Sequence, residues 1–250
     1  MVVPAFNEAG RLGPTLAAIR TFLLADRRWL PAEVVVVDDG STDATAATTR
    51  DLAPSGEVRV ALLSHPVNRG KGAAVRTGFA ASRGESVLLS DADLATPIEE
   101  LHRLAAATSG TTVAVGSRAV DRRLIETPQP LYRDLMGRIF NLGVRLLALP
   151  GVHDTQCGFK LFPGPLARAL AGVQRLDGFA FDVELLVLAR HWGWTVREVP
   201  VRWRHVEASR VAPVRHSREM LRDLLGLAVR RALGQLPPAP EGAGGRESGR

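Results

Sequence analysis

The chain has 250 residues, 46% of them hydrophobic, which is enough to bury one large core and matches a single α/β domain. Its 32 Lys and Arg outnumber 26 Asp and Glu, leaving a net charge of +6 that suits nucleic acid, an anionic membrane or phosphate-bearing substrates. No basic patch interleaved with aromatics and no nucleic-acid motif is present, which sets nucleic acid aside; the single Cys157 excludes an internal disulfide framework, and no Cys/His cluster has zinc spacing.

Strands are predicted at Val2 to Pro4, Glu33 to Val37, Val58 to Leu63, Ser86 to Ser90 and Thr112 to Gly116, each a short β-branched run closed by turn residues. Between the first two, Leu12, Leu16, Ile19 and Leu23 recur at helical steps, an amphipathic helix with its stripe on a sheet. The second strand is a valine run that reads as buried on both faces. It ends in Asp38, Asp39 and Gly40, and Ser41, Thr42 and Asp43 then supply turn and cap chemistry. After the third strand, Gly70 and Gly72 flank Lys71, so that bare backbone can approach a phosphate closely. Lysine occurs at only two positions, Lys71 and Lys160, in a chain that otherwise uses arginine, which suggests a need for compact ammonium groups there.

The fourth strand ends in Asp91 and Asp93. Residues i and i+2 of extended backbone share a side, so both carboxylates are expected together at the carboxyl end of a buried strand, where open α/β sheets bind ligands. Such a pair suits Mg²⁺ or Mn²⁺ bridged to the phosphates of a nucleotide or nucleotide sugar; taken alone it also reads as a solvated turn. Strand and helix alternate through this region, the pattern of βαβ units around a mostly parallel sheet flanked by helices.

From Leu131 to Leu149, Leu131, Leu135, Ile139, Leu142 and Leu146 hold helical spacing while Arg133, Arg138 and Arg145 interrupt them. This is either a core-packing helix with a solvated basic face or an interfacial helix lying on lipid. A second such segment, His216 to Leu233, sets Arg218, Arg222, Arg230 and Arg231 around Met220, Leu221, Leu224, Leu225 and Leu227. No apolar run reaches the length of about 18 residues that a spanning helix needs, so a soluble or membrane-peripheral protein is expected. Residues 1–235 are expected to form the domain, and 236–250, rich in Pro, Gly, Glu and Arg, a disordered tail.

In order along the chain stand V-P-x-F-N-E, V-D-D-G-S-x-D, N-R-G-K-G, D-A-D and G-S-R. Together they resemble the inverting family 2 glycosyltransferases of the GT-A fold. The later stretches His153 to Phe162 (HDTQCGFKLF), Gly178 to Leu186 (GFAFDVELL) and Glu207 to Leu225 resemble the dolichyl- and polyprenyl-phosphate β-glucosyltransferases. The dolichyl-phosphate mannose synthases share the first half and carry a shorter, less similar version of these later motifs, and the Q-x-x-R-W motif of processive synthases is missing.

The resemblance implies a GT-A domain, Rossmann-like with C-terminal amphipathic helices, that moves glucose from UDP-glucose to a polyprenyl phosphate on the cytoplasmic face of a membrane. GDP-mannose as donor is the nearest alternative, and a non-catalytic nucleotide-sugar-binding partner of a membrane protein is the alternative of another class. Pro4, Phe6, Asn7, Glu8, Asp38, Asp39, Gly40 and Lys71 are the implied nucleotide-sugar residues. Asp93 and Asp91 are the implied ligands of Mg²⁺ or Mn²⁺, with Asp91 shared with the nucleotide. Arg118 and Arg133 match positions that bind the acceptor phosphate, although Arg133 also reads as an ordinary surface arginine. Asp182 falls where an acid acts as base on hydroxyl acceptors. In this branch it is expected to position the sugar with Gln156 and Lys160, or else to pair structurally with Lys160 or an arginine.

Overall fold

A computed structural model describes residues 1–52, 56–108, 110–206 and 213–245, without the side chains of 213–217. The first half alternates strand and helix: β1 (Val2–Ala5), α1 (Ala9–Ala25), β2 (Ala32–Asp38), α2 (Thr45–Asp51), β3 (Val58–Ser64), α3 (Lys71–Ala81), β4 (Ser86–Ser90), α4 (Leu101–Ala107) and β5 (Thr112–Ser117). There follow β6 (Ile125–Thr127), α5 (Leu131–Leu147), β7 (Phe159–Pro163), α6 (Gly164–Val173), α7 (Phe181–His191), β8 (Thr195–Pro200), β9 (Trp203–Arg204) and α8 (Pro213–Ala232).

The main sheet runs β3-β2-β1-β4-β7-β5-β8, and β6 pairs with β9 in a separate small ribbon. All its neighbouring pairs are parallel except β4 with β7 and β7 with β5, so β7 alone is reversed. From β1 the chain builds outward through β2 and β3 and then returns to place β4 on the other flank of β1. That reversal is a topological switch point, and the crevice beyond the carboxyl ends of β1 and β4 is where such sheets bind ligands.

Alternation along the strands divides the core into two layers. Val2, Val35 and Val37 face α3, α6 and α7, whereas Val3, Val34 and Val36 face Leu12, Leu16, Ile19 and Leu23 of α1 and the α4 side. Every residue from Val34 to Val37 is buried, as a strand covered on both faces requires.

The five predicted strands and the helix over Leu12 to Leu23 are all present. Two further strands are not among those expected: β7, whose apolar run is broken by Lys160, and β8, where Arg197 and Glu198 interrupt the pattern. Both close the sheet through partners distant in sequence, which local periodicity does not reveal. A second correction concerns residues 236–245. Leu236 and Ala243 are buried, the indole Nε1 of Trp192 donates to the Pro237 carbonyl (2.9 Å), and that of Trp194 donates to the Ala243 carbonyl (2.8 Å). The segment expected to be disordered is thus packed as far as Gly245, because two tryptophans offer it apolar faces and donors. Among the described residues no helix is long and apolar enough to cross a membrane.

Helix α5 does not bury its apolar stripe, which speaks against the first of its two readings, a core-packing helix. Leu131, Leu135, Ile139, Leu142 and Leu146, the residues of its apolar stripe, are all exposed, and within the helix only Val144 is buried. α8 packs beside it, with Leu224 against Gly143, and adds exposed Leu221, Leu225, Val229 and Leu233. Of the motif running from Glu207 to Leu225, residues 207–212 lie outside the described residues.

Candidate active site

At the switch point lies a cleft of about 690 Å³, lined by Pro4 in β1 and Phe6 and Glu8 after it, Asp39 after β2, Asn68 to Lys71 before and at the start of α3, and Asp91 to Asp93 after β4. The loop from Arg175 to Phe179 and α8, through Glu219, Arg222 and Asp223, complete the wall.

Asp91 and Asp93 both open onto this cleft, from a turn beyond β4 rather than from extended strand. The turn is closed by the Leu94 amide donating to the Asp91 carbonyl (3.4 Å), with Leu94 at φ +46°, a conformation that few leucines adopt. Asp93 Oδ1 accepts from the Ala95 amide (3.0 Å). The Asp91 carboxylate rests so close to Gly158 that any side chain there would collide with it, which explains the glycine in the CGF motif. Lys71 Nζ pairs with Asp91 Oδ1 at 2.7 Å. Burial disfavours the Lys71 ammonium, but Asp91 and Asp182 outweigh it and hold the group above its ordinary range, so it stays charged. Burial and the neighbouring Asp91 raise the Asp93 carboxyl. A cation between them would relieve that repulsion.

The donor set fits a hard divalent ion. Among the described residues no cluster of three or more His, Cys, Asp or Glu is arranged to hold a metal, so the chain offers a pair of carboxylates and leaves the remaining positions to other oxygens. Mg²⁺ is commonly held in that way, by one or two carboxylates with substrate phosphates and water. Carboxylates also outnumber basic groups along the cleft, and an anionic diphosphate entering it needs a counter-charge.

The other nucleotide residues divide into those that line the cleft and those that shape it. Pro4, Phe6, Glu8, Asp39 and Lys71 line it; Asn7, Asp38 and Gly40 do not. Asn7, at φ +56°, accepts the Thr42 amide on Oδ1 (2.8 Å) and so staples the loop after β1 to the loop after β2. Asp38 Oδ1 accepts the Ser41 amide (3.0 Å), and Gly40, at φ +73°, lies against the backbone of Val67 and Asn68. Asp39 anchors the glycine-flanked loop: Oδ1 accepts the Arg69 amide (3.0 Å), Oδ2 accepts the Gly70 amide (2.8 Å), and His65 Nδ1 lies 2.7 Å from Oδ1. Nothing in a lone histidine between Ser64 and Pro66 signals that role in advance.

Asp182 and Lys160 lie behind the cleft. Lys160 Nζ donates to Asp182 Oδ1 (2.5 Å) and to the Cys157 carbonyl (2.6 Å), and both side chains are buried, which bears out the structural-pairing reading. Burial pushes the Asp182 carboxyl up, with Lys160 and Lys71 opposing. Gln156 Nε2 donates to the Phe179 carbonyl (3.3 Å) at the cleft's rim.

Arg118 and Arg133 are placed elsewhere. Arg118 forms a two-bonded fork with Asp154, Nε to Oδ2 (2.7 Å) and Nη2 to Oδ1 (2.8 Å), and its guanidinium lies 5.4 Å from the Trp203 ring centre. It lines a second cleft of about 350 Å³ beneath α5, with Arg122, Arg138, Arg145 and His153. Asp91 adds to the charge environment of Arg118, so the two clefts are electrostatic neighbours. Arg133 lines neither cleft; its Nε donates to its neighbour Tyr132 Oη (3.1 Å).

The sequence matches, over residues 1–165, the family described as Glycosyl transferase family 2. It is 37% identical over 246 residues to the dolichyl-phosphate β-glucosyltransferase of Drosophila melanogaster, spanning 94% of this chain and 75% of that protein. The protein of that name from Homo sapiens is 34% identical over 241 residues, with 92% and 74% covered. Glucosyl-3-phosphoglycerate synthase from Mycobacterium tuberculosis, solved in complex with uridine diphosphate, superposes with a TM-score of 0.67 at 20% identity, covering 91% of this chain and 79% of that one, a likeness of fold. Since the family match takes in the strands that carry the acid pair, and the similarity to the two glucosyltransferases covers nearly the whole chain, this protein belongs to glycosyl transferase family 2 and is a glycosyltransferase.

Proposed function

We propose that this glycosyltransferase moves glucose from UDP-glucose to a polyprenyl phosphate of the dolichyl type, giving a β-linked lipid phosphosugar and UDP, while seated peripherally on a membrane surface. The observation that carries the reading is the meeting of Asp91, Asp93 and Lys71 in the switch-point cleft of a chain 37% identical to a dolichyl-phosphate β-glucosyltransferase. Asp91 and Asp93 would hold Mg²⁺ or Mn²⁺. When bound, such an ion neutralises charge on the departing diphosphate. Lys71, kept cationic by its acidic neighbours, is positioned to share that load from the N-terminus of α3.

An acceptor phosphate needs no strong general base. Its second ionisation lies near pH 6, so at neutral pH it is largely dianionic and already nucleophilic. The Lys160–Asp182 ion pair, buried behind the cleft, gives Asp182 a structural role and does not make it a base. What the acceptor does need is positive charge, and the second cleft sets Arg118, Arg122, Arg138 and Arg145 against only Asp134 and Asp154, beside the exposed stripe of α5. That stripe, next to the one on α8, supports peripheral seating on lipid with the acceptor's chain alongside.

Thermal shift with a panel of nucleotide sugars tests the donor. UDP-glucose with Mg²⁺ or Mn²⁺ is expected to raise the melting temperature, since a ligand bound only by the folded state stabilises it. A rise with GDP-mannose and none with UDP-glucose would overturn the choice of donor.

A further inference from the structure

Glu184 belongs to the FDVEL stretch but takes no part in the chemistry proposed above. It is buried on α7, and helical spacing turns it away from Asp182. Its Oε2 accepts the amides of Arg175 (2.9 Å) and Leu176 (2.7 Å), in the loop that forms one wall of the donor cleft. Its Oε1 accepts from Arg230 Nη2 (3.0 Å) on α8. The same loop is hydrogen-bonded to the residue after the lysine that faces the acid pair: the Asp177 carbonyl accepts the Gly72 amide (2.7 Å), and Gln174 Nε2 donates to the Gly72 carbonyl (2.8 Å). One buried carboxylate therefore joins α8 to the loop that seats the N-terminus of α3 and Lys71.

α8 has three faces with three tasks. Leu224 and Leu227 are buried in the core; Glu219, Arg222 and Asp223 line the donor cleft; Leu221, Leu225, Val229 and Leu233 are exposed beside the stripe of α5. The two stripes form one apolar face only while α8 is packed on α5. A bilayer that engages both at once therefore favours the packed position over any other, by the gain in effective concentration of a two-part contact. The packed position is also the one in which α8 walls the cleft and Arg230 meets Glu184.

We infer that Glu184 is a positioning residue coupling α8 to the donor cleft, so that seating the two apolar stripes on a lipid bilayer tightens the cleft's hold on a nucleoside diphosphate. The inference rests on the membrane-peripheral reading above. Bilayer and nucleotide then share one coupling free energy, and each strengthens the binding of the other.

The test is calorimetric titration of UDP with Mg²⁺ into the full chain, with and without phosphatidylcholine–phosphatidylglycerol vesicles, alongside vesicle flotation. Wild type is expected to float with the vesicles and to bind UDP on the order of tenfold more tightly in their presence. Arg230→Met, which cuts the link while leaving Glu184 on the loop amides, is expected to float normally and to bind UDP as lipid-free wild type does, with no tightening. Glu184→Gln keeps an acceptor for those amides and is expected to match it. Wild type that floats but binds UDP with unchanged affinity, an Arg230→Met variant that tightens as wild type does, or one that no longer floats would each overturn the coupling. Absence of flotation by wild type would overturn the membrane reading instead, and absence of UDP binding under any condition would overturn the donor reading.

Discussion

At the scale of single residues, Asp91 and Asp182 keep Lys71 charged against burial, whereas burial and Asp91 raise the Asp93 carboxyl. Asp93 tests the metal assignment: Asp93→Asn is expected to keep the fold, judged by an unchanged melting curve, and to lower turnover by on the order of a hundred- to a thousandfold, because the charge that holds the cation is halved. Undiminished turnover would detach Asp93 from the chemistry. Asp154 gives a stability test. Burial alone would raise its carboxyl, but the Arg118 fork on both oxygens more than reverses this and holds the group below the ordinary carboxylate range. A lowered folded-state pKa contributes stability that is fully present above the unfolded value of about 4 and is lost as the pH falls through the folded value. Arg118→Gln is therefore expected to cost about 3 kcal/mol at pH ~7, where it strands a buried carboxylate, and clearly less near pH ~3, in urea melts at the two pH values. An equal loss at both would mean that the pair contributes packing rather than charge. Asp91, Asp93 and Lys71 are legible in the sequence because an acid pair at a strand end and a lysine between glycines carry their chemistry in adjacent letters. His65, Asp154 and Glu184 are not, because each acts on a partner that lies 26 to 46 positions away.

At the scale of elements, periodicity identifies whatever is covered evenly. The valine run of β2 and the stripe of α1 announce themselves, and so does the amphipathic pattern of α5, whose apolar side then proves to face outward. Periodicity says that a helix has two faces and not which of them is buried. It also fails to divide the arginines of α8: Arg222 lines the donor cleft and Arg230 is paired with Glu184, so neither is free simply to meet lipid headgroups. Composition misleads for residues 236–245 because their partners, Trp192 and Trp194, lie on another element. Truncation after Gln235 is expected to destabilise the protein by about 2 kcal/mol or more, since two indole donors lose their acceptors and their rings are uncovered. A truncated chain that melts where the full one does would restore the view of this segment as an unattached tail.

At the scale of the molecule, the reversal of strand order places the donor cleft at the carboxyl ends of β1 and β4, and the C-terminal half builds the second cleft and the exposed stripes on the same architecture. On the proposed function, the switch-point cleft takes the nucleotide sugar, and the second cleft with the exposed stripes of α5 and α8 takes the acceptor. The most direct measurement is transfer of label from UDP-[¹⁴C]glucose to a polyprenyl phosphate in vesicles, with Mg²⁺ or Mn²⁺, followed by extraction of the lipid. The account predicts organic-phase label that mild acid releases as free glucose and that disappears when EDTA is in excess. Label that stays in the aqueous phase with the acceptor present, or transfer that persists undiminished in EDTA, would contradict it.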